Sequence, residues 1–441
     1  MADPETQRAA APTILAGGAT PPSDTINVAM IGTGTQGSVL YEQVVKIQEP
    51  NVRFRAVCDI WPYARDAAAR RLAAYRQPVK AYTDYQEMLA AEKGLDAVIV
   101  ATPDWMHAEH SIACLEAGLN VYCEKEMSND LAKARAMVLA ARKTAKLLQI
   151  GHQRRSNPRY IHCREKLLGE ARLFGRLTHV YGQWNRSVAA SASRGTVQGH
   201  ELDDAALKQY GYDTMDRFRD WRWYKKFGGG PISDLGSHQV DVYGWFLGSR
   251  PMSVRASGGN DYWKQYEWYD NVMALYEFPT PQGVVHAYYQ VLTTTSARGY
   301  FETFFGTEGT VQISEDPKKC RLYPEADLPQ VNGQPPWEQW VKKGLILPFV
   351  EAEELHAADP KQEPLWAEYK APTTLCYVPR IDEERSYHMA HLQNFFEAVR
   401  GKAKLNCPAE EAYETAVQVL RVNEAVASGQ PITFKEEDFK T

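Results

Sequence analysis

Residues 26–37 read INVAMI followed by GTGTQG, a short apolar run that leads directly into a glycine-rich turn. The turn has the G-x-G-x-x-G spacing, and a second apolar run, residues 52–58, ends at Asp59. Glycines in such a turn let the backbone approach a pyrophosphate at a helix N-terminus, and the acidic residue accepts hydrogen bonds from ribose hydroxyls. This stretch therefore predicts a Rossmann-type dinucleotide site.

The same alternation of apolar runs and helical patterns continues to residue 150. Strands are predicted at 26–31, 52–58, 97–101, 120–123 and 147–150, and helices at 62–76, 107–117 and 129–146. Alternating strands and helices imply a parallel sheet with helices on both faces. Residues 25–150 are therefore predicted to form an α/β N-terminal Rossmann domain.

The pattern changes after residue 151. Helices are predicted at 159–169, 386–401 and 408–427, and strands at 176–184, 252–257, 271–278, 283–292 and 299–305. Strands in close succession, with turn signals such as Pro279-Thr280-Pro281, favour an antiparallel sheet. Residues 151–441 are predicted to be an α+β C-terminal domain, with a loop-rich excursion at about 316–380.

Composition excludes several classes of protein. The chain has 441 residues and a net charge of −5, so it lacks the basic surface of a nucleic-acid-binding protein. It contains no apolar run of about 18 residues, and no membrane span is expected. The seven cysteines are odd in number and include no C-x-x-C pair, which argues against a disulfide framework or a zinc site.

The N-terminal residues have a composition of their own. Residues 1–24 are rich in Ala, Pro, Gly and Thr without periodicity and predict a flexible arm. Residues 9–16 resemble the tail of a bacterial export signal, which favours an exported, periplasmic protein. A natural arm on a cytoplasmic enzyme is the alternative.

Candidate cofactor-binding residues follow four of the predicted strands. Ligands of open α/β sheets bind at the carboxyl ends of the strands, where Thr102-Pro103 and Glu124-Lys125 lie. The Asp59 carboxylate would repel a 2′-phosphate and favours NAD over NADP, a preference that nearby Arg65 weakens. His107 fits packing against the following helix better than catalysis. The cofactor-binding candidates are Gly32, Gly34, Thr35, Gln36, Gly37, Asp59, Thr102, Pro103, His107, Glu124 and Lys125.

Candidate catalytic residues lie in two separate stretches. Residues 228–241 read GGGPISDLGSHQVD, in which Asp234 and His238 share one helix face. A histidine can act as a general base, a carboxylate can orient it, and the Lys125 ammonium can stabilise a developing alkoxide. The Asp–His spacing also suits a metal, but no further ligand stands nearby, so no metal is predicted.

In combination these motifs resemble the Gfo/Idh/MocA family, named after glucose–fructose oxidoreductase and inositol dehydrogenase. The resemblance covers residues 26 to about 310. It rests on GTGTQG at 32–37, Asp59, ATPDWMH at 101–107, CEKE at 123–126, GHQRRSNP at 151–158 and GGGPISDLGSHQVD at 228–241. It implies that the second domain is an open-faced, mainly antiparallel sheet through which the protein forms a homo-oligomer, a dimer or tetramer.

The resemblance also assigns roles to residues. Lys125 matches the lysine of the family's E-K-P motif, and Asp234 and His238 match its catalytic Asp and His. Arg154 and Arg155 match a basic pair that borders the active site. The sequence departs from the family at Glu126, which stands where the motif has proline.

Aromatic residues complete the predicted substrate pocket, although packing explains each of them equally well. One cluster is Trp221, Trp223 and Tyr224, and another spans residues 262–269. Trp184, Asn185 and Arg186 end a predicted strand near the substrate site, whereas His388 and His391 are interpreted as packing or rim residues. The substrate-binding candidates are Arg154, Arg155, Trp184, Asn185, Trp221, Tyr224 and His238.

The sequence thus predicts NAD-dependent oxidation of a secondary hydroxyl of a sugar, glycoside or polyol, with C3 of a glucoside as the specific guess. The N-terminal arm and the excursion could retain NAD as a tightly bound group. One alternative is a redox-neutral glycosidase that oxidises the sugar transiently, eliminates the aglycone and reduces the product again. A second alternative is a non-catalytic regulator that binds sugar and NAD.

Overall fold

The computed structural model describes residues 25–48, 50–187, 197–349, 376–382 and 386–441. The predicted arm at 1–24 and the middle of the predicted excursion, 350–375, lie outside these ranges. Within them, no helix combines the length and apolar character needed to cross a membrane. None of the seven cysteines, all in the described part of the chain, forms a disulfide, and all are buried.

The first domain is a six-stranded parallel sheet in the order β3-β2-β1-β4-β5-β6. The predicted Rossmann domain is confirmed. Its strands are β1 Thr25–Ile31, β2 Asn51–Cys58, β3 Lys80–Tyr82, β4 Ala97–Val100, β5 Asn120–Cys123 and β6 Leu148–Ile150. Its helices are α1 Thr35–Val44, α2 Pro62–Ala74, α3 Tyr85–Ala91, α4 Asp104–Glu116 and α5 Leu131–Thr144. The sequence did not predict β3 and α3, because β3 is a three-residue edge strand without an apolar run.

The second domain is a ten-stranded sheet in the order β14-β15-β13-β12-β11-β7-β10-β9-β8-β16. Only β7 and β10 pair in parallel; the other described pairs are antiparallel. The strands are β7 Leu177–Asn185, β8 Ser253–Gly259, β9 Asn271–Thr280, β10 Gly283–Leu292, β11 Tyr300–Gly306, β12 Gly309–Ile313, β13 Arg321–Pro324, β14 Ile346–Phe349, β15 Cys376–Pro379 and β16 Ile432–Thr433. The helices are α6 Pro158–His162, α7 Asp204–Gln209, α8 Met215–Arg219, α9 Ser237–Leu247, α10 Glu338–Lys342, α11 Tyr387–Val399 and α12 Ala409–Ser428.

The predicted excursion at 316–380 is corrected by this topology. Its described parts contribute β13, β14 and β15 to one edge of the sheet, and α10 lies between β13 and β14. Trp337 packs edge-on against Phe174 and so ties the segment to the core. The three strands have four residues each, which is too short for a recognisable period-2 pattern.

Two features of the C-terminal half position the site. Ile232–Gly236 forms a wide π-helical turn that leads into α9, so Asp234 and His238 belong to different turns and not to one regular helix. Helix α11 returns to the first domain, where Leu392, Phe395 and Phe396 are fully buried in the Rossmann core. The first domain therefore draws part of its core from residues more than 200 positions beyond its last strand.

Candidate active site

One large cleft lies where the parallel strands of the first domain end. Residues that directly follow β1, β2, β4 and β5, including Gly32, Asp59, Thr102 and Lys125, line one wall. Residues of the second domain, including His238, line the other wall. The cavity has a volume of about 770 Å³, which is in the range of pockets that hold small molecules and cofactors.

The glycine turn leaves room for a ligand at one position and packs tightly at two others. Gly32 has a φ of +89°, and a Cβ there would lie 2.6 Å from the carbonyl carbon of Ala101. A Cβ on Gly37 would overlap the carbonyl oxygen of Gly32, whereas nothing lies within 4 Å of one built on Gly34. The open space at Gly34, which lines the cleft with Thr35 and Gln36, fits the close approach of a diphosphate.

Asp59 is held against this turn. Its Oδ2 accepts hydrogen bonds from the Thr33 amide (2.7 Å) and hydroxyl (3.1 Å), and its Oδ1 accepts one from the Trp61 amide (2.8 Å). Burial raises the pKa of Asp59, while the bonds from Thr33 and Trp61 act in the opposite direction. Arg65 is bound to Asp66 (2.8 Å) and Thr83 (2.5 Å) and does not appear in the described cleft lining.

The middle of the cleft floor comes from the motifs after β4 and β5. Thr102, Pro103, Glu124 and Lys125 line it as predicted, but His107 does not. The His107 ring is buried with Nδ1 2.6 Å from the Glu126 carbonyl oxygen and Nε2 2.7 Å from the Thr102 carbonyl oxygen. His107 therefore links two loops beneath the site, and its predicted cofactor contact is corrected to a supporting position.

Lys125, Asp234 and His238, which lie in distant parts of the sequence, come together in the cleft. The Lys125 Nζ donates hydrogen bonds to the Asp234 carbonyl oxygen (2.5 Å) and to its Oδ1 (3.4 Å). The peptide bond after Lys125 is cis, at the position where the family motif has proline. An ammonium group and an imidazole thus face one cavity that begins at the glycine turn.

The partners of Asp234 are cations. Besides Lys125, its Oδ1 accepts a hydrogen bond from Arg222 Nε (3.0 Å) and its Oδ2 one from Arg186 Nη2 (3.1 Å). Burial would raise the pKa of this carboxyl, but Arg222, Lys125 and Arg186 together hold it below its usual range. Asp234 is expected from the sequence to orient either His238 or the substrate. Within the described residues Asp234 makes no hydrogen bond to His238 and instead anchors Lys125, which corrects the first alternative, while orientation of the substrate stays a prediction.

His238 is a buried, neutral base. Its ring lies 5.4 Å from that of Trp184, and its Nδ1 has no hydrogen-bond partner among the described residues. Burial, followed by the charges of Lys125 and Arg154, lowers the pKa of His238 well below its ordinary value. The lowered pKa favours the neutral imidazole, which is the form that can accept a proton.

Arg154 and Arg155 are absent from the described cleft lining. Arg154 pairs with Glu302 and with Glu315 (3.3 Å), and its side chain is 1% exposed. Arg155 binds Asp241 through two nitrogens, at 2.8 and 2.9 Å. Both guanidinium groups are engaged in the protein interior, and their predicted substrate contact is corrected to a structural role.

Of the residues predicted to complete the aromatic substrate pocket, some line the cleft and others do not. Trp184, Trp221 and Trp223 line the cleft, and so does Tyr300, which stacks on Trp184 at 4.4 Å. Asn185 and Tyr224 lie outside the described lining: the Asn185 amide donates to the Ala297 carbonyl (2.9 Å), and Tyr224 lies under Arg217. No residue of the 262–269 cluster lines the described cleft either.

The two histidines of α11 also differ. His391 is fully buried, with Nδ1 2.6 Å from the Ser156 hydroxyl and Nε2 2.9 Å from the Ile150 carbonyl, so it is a packing residue. His388 lines the cleft, and its Nε2 lies 3.3 Å from the Gln36 amide nitrogen. The interpretation of this pair as packing and rim residues agrees with these positions.

Several lining residues were not predicted as site residues. They come from both domains. They include Asp104, Gln153, Tyr210, Arg222, Tyr300, Glu315 and Tyr387. Asp104 and Gln153 stand inside motifs quoted from the sequence, ATPDWMH and GHQRRSNP, and Arg222 lies between the predicted Trp221 and Trp223, so a signal existed for all three. Tyr300, Glu315 and Tyr387 lie in segments without any local motif.

Residues 202–227 of the second domain cross over the cofactor half of the cleft. Tyr212, Trp221 and Phe227 form a small hydrophobic core with Trp105 of the first domain. The Trp105 indole donates to the Tyr212 hydroxyl (3.2 Å), and the Trp61 indole donates to the His200 carbonyl (2.6 Å). This part of the cleft is therefore bounded by both domains.

Two family models match the chain. One, described as "Oxidoreductase family, NAD-binding Rossmann fold", matches residues 26–152, and the other, "GFO/IDH/MocA C-terminal domain", matches residues 170–312. Together they span more than half of the chain. The fold and the cleft already define the class of two-domain proteins in which a dinucleotide and a second ligand meet between the domains.

The chain belongs to the Gfo/Idh/MocA family, and its first domain is an NAD-binding Rossmann domain. Among curated relatives, D-glucoside 3-dehydrogenase of Escherichia coli is 29% identical over 226 residues, 51% of this chain and 55% of that protein. The 1,5-anhydro-D-fructose reductase of Ensifer adhaerens is 27% identical over 233 residues, 53% of this chain and 60% of that protein. The first curated relatives are thus matched over 60% or less of their length.

Solved structures share the fold over nearly the whole chain. Levoglucosan dehydrogenase in complex with NADH has a TM-score of 0.66 at 18% identity, covering 93% of this chain and 99% of that chain. The WlbA dehydrogenase of Bordetella pertussis, in complex with NADH and UDP-GlcNAcA, has a TM-score of 0.63 at 19% identity, with the same coverage. At these identities the likeness establishes the two-domain architecture.

Proposed function

We propose that this protein is an NAD-dependent dehydrogenase that oxidises a secondary hydroxyl of a sugar, glycoside or polyol. One observation carries the proposal: the Lys125 ammonium and the neutral His238 imidazole face the same cleft that starts at the glycine turn. Such a pair can bind a hydroxyl and remove its proton. A merely structural Lys–Asp pair would not need an unpartnered buried imidazole beside it.

Residues on three loops would hold NAD. Gly34, Thr35 and Gln36 border open space that suits a diphosphate, and Asp59 and Glu124, which line the same cleft, would bind other parts of the cofactor. When bound, NAD supplies the hydride acceptor, and the protein supplies geometry and charge. The aromatic core formed by residues 202–227 across the cofactor half supports a further proposal, that NAD is retained tightly.

The residues of this chain would act on the hydroxyl proton. The His238 imidazole would accept the proton, since burial favours its neutral form, which is the form able to accept one. The Lys125 Nζ stabilises negative charge that develops on the substrate oxygen. Asp234 fixes the position of Nζ through its carbonyl oxygen and Oδ1.

The specific substrate that we propose is a glucoside oxidised at C3. The stacked rings of Trp184 and Tyr300 give the substrate wall a flat apolar face of the kind that packs on a pyranose. The similarity to a D-glucoside 3-dehydrogenase supports the same choice. A redox-neutral glycosidase remains the alternative, and a relative named glycosyl hydrolase family 109 protein, from Stenotrophomonas maltophilia, is 38% identical over 105 residues.

The first experiment separates these functions. Purified protein is mixed with NAD and an aryl glucoside, and nicotinamide absorbance and released phenol are followed together. Formation of NADH without phenol supports the dehydrogenase, whereas phenol without net NADH supports the glycosidase. Mass spectrometry of the denatured protein before NAD is added detects cofactor that is retained through purification.

A His238→Gln variant tests the catalytic assignment. Loss of a general base lowers kcat by about 10²- to 10⁴-fold, while NADH binding, followed by fluorescence, stays intact. The matched control is His179→Gln, because His179 is exposed on β7 outside the described cleft lining. Unchanged turnover in His238→Gln would contradict the proposal, and absence of turnover in the wild type on every sugar tested would favour a regulatory protein.

Two further proposals concern the molecule in the cell. We propose that the protein forms a homo-oligomer through the open face of the second sheet, where Met273 and Leu275 are exposed on β9. We also propose that it is exported to the periplasm, for which the sequence of residues 9–16 is the support. Size-exclusion chromatography with light scattering and fractionation of the producing cells test these proposals separately.

A further inference from the structure

The carboxylate of Asp234 is surrounded by more positive charge than it can balance. Lys125, Arg186 and Arg222 all bind it, at 3.4, 3.1 and 3.0 Å. Counted against Asp234 alone, the three cations leave two positive charges in excess at this end of the cleft. Charges that are partly withdrawn from water are normally paired, so an excess of one sign along a cavity favours a ligand of the opposite sign.

Neither arginine uses all of its N–H groups to bind Asp234. Arg186 uses only Nη2 and Arg222 only Nε, and in the described part of the chain their other N–H groups have no acceptor. Both side chains line the cleft, with 34% and 28% of their surface exposed. The rings of Trp184 and Trp221 lie 6.0 and 4.2 Å from the guanidinium carbons of Arg186 and Arg222, and these contacts restrict the movement of both side chains.

The acidic residues that share this end of the cleft do not cancel the surplus. Glu315 is paired with Arg154 at 3.3 Å, and burial raises the pKa of Glu124, which favours its uncharged form. Burial raises the pKa of Asp104 to about 7, so this carboxyl is partly protonated near neutral pH. Asp220 and Arg219 are neighbours in the cleft lining, and the positive charge of Arg219 offsets the negative charge of Asp220.

We propose that the substrate carries an anionic group, a carboxylate or a phosphate, which the free N–H groups of Arg186 and Arg222 bind while the reacting hydroxyl faces His238. Guanidinium groups present their N–H donors as a planar fork that matches both kinds of oxyanion. This inference rests on the proposed function and narrows it to acidic sugars and glycosides. Asp234 then has a second role, since it holds the two arginines at the cleft wall.

The test compares sugars that differ by one group. Methyl β-D-glucopyranoside is paired with its C6 acid, methyl β-D-glucopyranosiduronic acid, and glucose is paired with glucose 6-phosphate, so that the two pairs distinguish carboxylate from phosphate. Binding to the NADH-loaded protein is measured by calorimetry and kcat/KM by NADH formation. We expect kcat/KM for the preferred acid to exceed that for its neutral partner by about 10- to 100-fold, as for a hydrogen bond to a charged group.

Variants then locate the preference. In Arg186→Gln and Arg222→Gln the ratio of kcat/KM for acid over neutral sugar should fall to near one, and lysine at either position should restore part of it. If the arginines had a purely structural role, each substitution would lower kcat/KM equally for both substrates and leave the ratio unchanged. The control is Arg217→Gln, because Arg217 pairs with Glu267 outside the described cleft lining.

Each result bears on one proposal or the other. Oxidation or binding of the neutral sugars without any preference for the acids overturns the anionic-substrate inference and leaves the dehydrogenase proposal intact. A preference that survives in both glutamine variants overturns the assignment to Arg186 and Arg222. Binding of an acid without oxidation supports the anion site and contradicts the dehydrogenase proposal.

Discussion

At the residue scale, burial separates the arginines of this protein into two kinds. Arg154 and Arg155 lie in the interior and are matched by the carboxylates of Glu302 and Asp241. Arg186, by contrast, keeps a third of its surface in the cleft and shares a carboxylate with two other cations. Adjacency in sequence to a site motif therefore says little about which guanidinium meets a ligand.

The structural role of Arg154 leads to the first stability prediction. Arg154→Met leaves Glu302 buried without its cation, and breaking a buried ion pair costs about 3–5 kcal/mol. Urea unfolding should show a loss of that size, with the KM of the folded variant close to wild type. Arg217→Met, at a partly exposed pair, should cost less than about 1 kcal/mol. A raised KM with unchanged stability would mean that Arg154 binds substrate after all.

Glu126 makes stability depend on pH in a defined window. It is fully buried, with Oε1 bonded to the Met127 amide (2.8 Å) and Oε2 without a hydrogen-bond partner in the described residues, 3.9 Å from His152 Nε2, and burial raises its pKa from 4.5 to about 8. The folded state therefore holds this proton more tightly than the unfolded state. The stabilisation is complete below pH 4.5 and is lost as pH rises toward 8.

Comparison with Glu126→Gln isolates that effect. The free energy of unfolding of the wild type minus that of the variant should fall by about 1.4 kcal/mol per pH unit between pH 4.5 and 8. Urea titrations of both proteins at pH 5.5, 7 and 8.5 measure it. The exposed Glu116→Gln should run parallel to the wild type, and parallel curves for Glu126→Gln would show that its carboxyl titrates normally.

At the element scale, the turn between β1 and α1 combines a packing requirement with a binding requirement. Gly32 and Gly37 approach other backbone atoms so closely that a Cβ has no room, whereas Gly34 faces open space. The π-helical turn at Ile232–Gly236 is the second such element, since it places Asp234 toward Lys125 while α9 carries His238. Helix turns of this kind are frequent at functional sites.

The two requirements of the glycine turn can be measured separately. Gly37→Ala should lower the melting temperature of the protein without cofactor by several degrees, because the new Cβ overlaps the Gly32 carbonyl. Gly34→Ala should leave that temperature unchanged and weaken NADH binding at least tenfold, because its Cβ would occupy the ligand space. Thermal unfolding and fluorescence titration of both variants give the answer. Equal effects of the two substitutions on both measurements would contradict this division.

At the scale of the whole molecule, segments of the C-terminal half pack on the first domain. Helix α11 fills part of the Rossmann core, and residues 202–227 pack on Trp105 over the cofactor half of the cleft. Within the described residues, the open face of the second sheet carries exposed apolar side chains. There the Tyr181 and Tyr288 rings stack at 5.6 Å and Met273 and Leu275 are exposed on the neighbouring strand.

An interface on that face makes a clear prediction. Leu275→Arg places a charge in the centre of the apolar face and should convert an oligomer into smaller species, because an unpaired buried charge is strongly unfavourable. Light scattering after size-exclusion chromatography measures the mass. The control is Leu139→Arg, which adds the same charge at an exposed position on α5. Equal masses for the wild type and Leu275→Arg would show that the interface does not include this face.

The sequence by itself determined five of the six strands of the first sheet, the glycine turn and the choice of Lys125, Asp234 and His238 as candidate catalytic residues. Each of these has a local signal: hydrophobic periodicity over several residues, or a short motif that directly follows a strand. The strands β13, β14 and β15 escaped prediction because four residues carry no measurable period. Helix α11 was predicted correctly, but nothing in its pattern indicates which domain it packs on.

Tertiary structure alone decided which charged groups face the cleft and which support it. The partners of Asp234 come from residues 125, 186 and 222, and those of Arg154 from residues 302 and 315, so neither set is visible in any one stretch of sequence. Burial and charge pairing are properties of the packed chain. The sequence therefore supplied the chemical groups, and the fold determined their surroundings and their protonation states.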